Sequence, residues 1–155
     1  MPKRVHLIAG ILAPLCIATF FSCTVLAEIF CSHEDVALLK SLIVTPGLWI
    51  LVPAIACAGG SGMFLSWTRR GRLVDAKKKR MPFIAANGLL VLVPCAILLN
   101  RWATAGAFDT TFFIVQMIEF VAGATNLTLM GLNVRDGLRM AGHLRARPPQ
   151  AARAS

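Results

Sequence analysis

Charge is scarce in this chain, and negative charge scarcest. Seven Asp and Glu stand against sixteen Lys and Arg in 155 residues, and charged residues make up only 15% of the whole. A soluble domain carries about a quarter, so this composition argues against one. Paired cysteines are also lacking: Cys16, Cys23, Cys31, Cys57 and Cys95 form no Cys-x-x-Cys, and all but Cys31 sit in apolar surroundings. That spacing argues against thiol redox chemistry. No histidine falls inside a long apolar run, whereas membrane cytochromes take their axial ligands from within their helices. His6 and His143 would meet only if the first and last runs were neighbours, so a haem-binding redox protein ranks last among the readings. No nucleotide motif and no metal-ligand constellation is present. No cofactor, metal or catalytic residue is therefore expected, and the balance is against an enzyme.

Four apolar runs are what the chain does have, at residues 7–30, 42–67, 82–102 and 110–134. Each is close to the ~20 residues a helix needs to cross a bilayer. None alternates apolar with polar residues as a barrel wall does, and backbone hydrogen bonding in lipid then leaves helices. The first run starts beside Lys3 and Arg4 like a signal peptide, but its length exceeds a signal core of about 7–15 residues. It is read as a retained span. The expected fold is all-α: one four-helix transmembrane bundle over residues 1–147, followed by a disordered basic tail at 148–155.

Fourteen of the sixteen cations fall in three stretches. These are Lys3 and Arg4; Arg69, Arg70, Arg72, Lys77, Lys78, Lys79 and Arg80; and Arg135, Arg139, Arg145, Arg147 and Arg153. Lys40 and Arg101 are placed in the other two connections, with Glu34, Asp35 and Asp109. The positive-inside rule puts both termini and the central basic loop in the cytoplasm, as expected of a multi-pass protein of a bacterial inner membrane. With the basic residues beside apolar runs, the membrane accounts for the +9 charge without a nucleic-acid partner. The loop from Arg69 to Arg80 is the candidate site for anionic lipid headgroups. Its topological role is the plainer explanation.

Small residues Ala54, Ala58, Gly62 and Ser66 recur every four positions in the second run. Such a stripe admits a close helix–helix approach within the chain, to a second copy or to another membrane subunit. Trp49, Trp67 and Trp102 are read as interfacial anchors. Pro14, Pro53 and Pro94 lie inside spans, where bending for packing is the simplest role.

The polar residues of the fourth run carry the most chemistry. Gln116, Glu119, Gly123, Asn126, Met130 and Asn133 follow a 3-4-3-4-3 spacing, one face of a helix. Asp109 is placed to cap that helix. A carboxylate at the depth of Glu119 costs several kcal/mol unless paired, and the span assignment offers it no cation. Gln116, Ser22 or Thr24 are its expected hydrogen-bonding neighbours, and Asn87 in the third run lies level with Asn126. Two readings divide this face evenly. In one, Glu119, Gln116, Asn126 and Asn87 are a proton- or cation-binding set; in the other they are a polar seam that holds the helices in register. The leading functional expectation is a non-catalytic accessory or structural subunit of a membrane assembly. The alternative is a small proton- or cation-coupled carrier that works as a homo-oligomer through Glu119.

Overall fold

The computed structural model describes residues 2–66 and 71–140. Among the described residues there is no strand, and four helical rods are long and apolar enough to cross a membrane. Helix α1 spans Pro2–Phe30. The second rod comprises α2 (His33–Leu42), a wide turn (Ile43–Leu48) and α3 (Trp49–Ser66). The third comprises α4 (Arg72–Asn87), a second wide turn (Gly88–Leu92) and α5 (Val93–Thr104). Helix α6 runs from Thr110 to Met140. Each rod packs on the next, and α6 returns to pack on α1.

The second rod starts well before the expected residue 42. Ser32 accepts from the Asp35 amide, and Asp35 returns the interaction to the Ser32 backbone and hydroxyl. This capping box satisfies the first free N–H groups and starts α2 at His33. Residues 33–41, expected as a connection, are helical and carry Lys40 into the bundle. Likewise Arg72–Arg80, expected as a loop, form the first turns of α4 behind Gly71.

Both wide turns lie at or beside a proline. Thr45 leaves helical geometry (φ −138°, ψ 109°) immediately before Pro46, to which a cis peptide bond joins it. Pro94 has no N–H to offer the carbonyl four residues earlier. The backbone widens, and the Val93 N–H reaches back to the Gly88 carbonyl. The break in the second rod therefore falls at Pro46, while Pro14 and Pro53 stay within continuous helices.

Two apolar clusters hold the rods together. Ala27, Val36, Cys95, Leu99, Ala103 and Phe112 join α1, α2, α5 and α6 at one end. Ala13, Ile17, Leu51 and Ala54 join α1 to α3. Ala54, the first residue of the small stripe, thus meets α1 of its own chain. Ala58 and Gly62 are half-buried, and the Ser66 side chain lies outside the described set.

Candidate functional site

Helix α6 presents its polar face inward. Asp109 caps it by accepting from the Phe112 amide at 2.9 Å. Gln116, Asn126, Asn133 and Asp136 are all buried, with Met130 and Glu119 partly so. Three polar ties along this face join α6 to other rods.

At the Asp109 end of α6 is an ion pair. Lys40 Nζ donates to Glu119 Oε2 at 2.7 Å, with the Lys40 side chain 1% and the Glu119 side chain 15% exposed. Gln116 Nε2 donates to the same oxygen at 2.9 Å. The expectation that no cation could neutralise Glu119 is therefore corrected. The cation is Lys40, which the capping box moves from a connection into the second rod. Ser41, its neighbour, donates to Asn100 Oδ1 at 2.9 Å and ties α2 to α5. Neither Ser22 nor Thr24 bonds Glu119: Ser22 is exposed, and Thr24 is buried beside it.

In the middle, Asn87 Nδ2 donates to Asn126 Oδ1 and to the Ala122 carbonyl, both at 2.9 Å. Asn126 Nδ2 donates to the Ile84 carbonyl at 3.3 Å. With its amide engaged on both sides, Asn126 functions as a crosslink, some way from Glu119 along the helix. At the far end, Arg80 Nη1 donates to Asp136 Oδ2 at 2.7 Å, and Arg135 approaches the other oxygen at 3.5 Å. Arg80, expected among the headgroup cations, is spent on this pair. Lys77 is half-buried, with its ammonium over Gly137. Arg72, Lys78 and Lys79 are exposed on α4. Arg69, Arg70 and His143 lie outside the described residues, as does the His6 side chain.

A cavity of about 70 Å³ adjoins the Lys40–Glu119 tie. Phe20, Phe21, Phe120 and both wide turns (Ile43, Leu48, Gly88, Leu92) form its apolar wall. Thr24 and Glu119 are its polar lining. Both donors to Glu119 use Oε2, so Oε1 has no protein donor among the described residues. Two other oxygens near the pair are buried without a partner: Gln116 Oε1 and Glu28 Oε1. Glu28, expected at the headgroups or in an outer acidic patch with Glu34 and Asp35, instead turns one oxygen into the protein.

Sequence reasoning missed Lys40, Glu28 and Asp136. Two signals were available. Ser32-His33-Glu34-Asp35 before an apolar run is a helix-start pattern, and the spacing along α6 continues three residues past Asn133 to Asp136. Nothing local marks Glu28 as inward-facing. Among the described residues, no group of three or more His, Cys, Asp or Glu is arranged to hold a metal. No family model, curated protein or solved structure matches the chain.

Proposed function

We propose that the protein is a small multi-pass carrier whose ion is the proton and whose exchange centre is Glu119 with Lys40. The observation that carries this reading is the place of the pair. A buried ion pair borders a cavity walled by the two segments where the rods are broken. Intramembrane ionisable residues are costly and cluster on ion pathways, and broken helices in membranes are tolerated where they line a cavity. A lone acid would be half of a relay. Lys40 supplies the other half: when a proton neutralises Glu119, the ammonium is released to a second acceptor. The charge distribution supports an inner-membrane placement with both termini in the cytoplasm. Lys40 and Glu119 then lie toward the outer side, and Arg80 with Asp136 at the cytoplasmic end.

The test is proton flux into liposomes that contain the purified protein and a trapped pH dye, driven by a potassium diffusion potential. Wild type is expected to acidify the lumen well above protein-free liposomes, and Glu119→Gln to lose at least about tenfold of that rate. Asn126→Leu breaks the middle tie without touching the pair, so it should retain flux per folded molecule. Wild-type flux no greater than that of empty liposomes would sink the proposal.

A second reading, a rigid subunit of a larger membrane assembly, is favoured by the three ties of α6 to its neighbours. Foreign subunits at fixed stoichiometry in native mass spectrometry of the gently extracted protein, with no flux, would support it.

A further inference from the structure

Glu28 has no role in the pair described above, yet its burial requires one. It sits near the end of α1, half-buried, with Oε1 enclosed and unpartnered. Its charged and titratable neighbours are Lys40 and His33 of α2 and Glu119 of α6. Cys95 of α5 is buried in the apolar cluster of Ala27, Val36 and Leu99 and lies within electrostatic range of Lys40 and Glu119. Lys40 has three ammonium hydrogens and spends one, on Glu119. The site thus holds two carboxylates against one ammonium, with orphaned oxygens on Glu28 and Gln116. A net negative charge away from water is costly, and where two acids share a site one of them keeps a proton.

We infer that Glu28 and Glu119 share one exchangeable proton, with Lys40 as the ammonium that pairs with whichever carboxylate is ionised. This inference rests on the proton-carrier reading and names its second acid. The two states are isoelectronic and carry the same number of protons. In one, Lys40 bonds ionised Glu119 while Glu28 holds the proton on a carboxyl oxygen; the observed pairing is this one. In the other, Lys40 has swung to ionised Glu28 and the proton is on Glu119. Lys40 remains an ammonium throughout: the Glu28 O–H bond breaks, a Glu119 O–H bond forms, and the ammonium exchanges its hydrogen bond from one carboxylate to the other. The cavity beside Glu119 gives that side chain room to change partners. His33 is exposed at the bundle end and stacks on Phe108 at 4.1 Å.

The experiment is infrared spectroscopy of the full-length protein in lipid at neutral pH, read in the carboxylic-acid carbonyl region, alongside the liposome flux assay. Wild type is expected to show one protonated-carboxyl band that shifts on deuteration. Glu28→Gln should abolish that band, preserve helicity and reduce flux at least about tenfold. Glu119→Gln should also abolish it, because Glu28 then ionises against Lys40. Glu28→Asp should keep the band, displaced. A band unchanged in Glu28→Gln, or no band in the wild type, overturns the shared proton. A wild type without flux whose band is lost in Glu28→Gln would instead refute the carrier while leaving the two-acid site standing.

Discussion

Lys40 is 1% exposed, and its only bonded partner among the described residues is Glu119. Breaking a buried pair by removing one member typically costs about 3–5 kcal/mol, because the other charge is left uncompensated. Replacing both members with apolar residues of similar volume is often near neutral. Lys40→Met is therefore expected to destabilise the protein by about that amount, and Lys40→Met with Glu119→Met to recover most of it. Denaturant titration followed by circular dichroism in micelles measures both. If the double variant were as unstable as the single, the pair would not be what Lys40 contributes. Glu119 was recognisable from the chain because an acid between Ile118 and Phe120 on a polar helix face stands out locally. Lys40 was not, because its chemistry depends on a residue 79 positions away.

At the scale of elements, the breaks matter more than the spans. Gly47 lies in the first wide turn, where an added Cβ would sit 2.8 Å from Phe20 Cζ and 3.0 Å from the Leu42 carbonyl oxygen. The ring can shift, but the carbonyl belongs to the end of α2. Gly47→Ala should cost about 1–3 kcal/mol, the usual range for overpacking. Gly60 is exposed within α3 and has no neighbour within 4 Å of such an atom. Gly60→Ala should gain up to about 1 kcal/mol from helix propensity. Thermal unfolding of the two variants against wild type checks the contrast, and equal effects would mean that the wide turn is not closely packed. The first break was partly legible, since proline disfavours the helix just before it. The spacing of small residues pointed to a packing face but left open whether α1 or a second copy fills it.

For the whole molecule, the proposed topology makes a prediction about thiols. Cys31 is exposed at the turn between α1 and α2, at the end of the bundle away from Arg72–Arg80. Cys23 and Cys57 are exposed on helices but lie within apolar spans, where lipid would cover them. A membrane-impermeant maleimide should therefore label Cys31 alone in cells whose periplasm is accessible, and the other two only after detergent. Labelling of Cys31 only in inside-out vesicles would reverse the orientation.

The number of apolar rods and the polar face of α6 were determined by the sequence alone. They depend on hydrophobic runs, backbone satisfaction in lipid and the 3.6-residue period, all of which act within a segment. Charge placement carries the proposed orientation in the same local way. The tertiary structure decided which polar residues meet. It brought Lys40 and Gln116 to one oxygen of Glu119, paired Arg80 with Asp136 rather than leaving it to the headgroups, and turned a Glu28 oxygen inward. These outcomes depend on where two proline breaks aim the half-helices and on how the rods pack around α6. Long-range pairing of charges follows from that packing, and no local pattern encodes it.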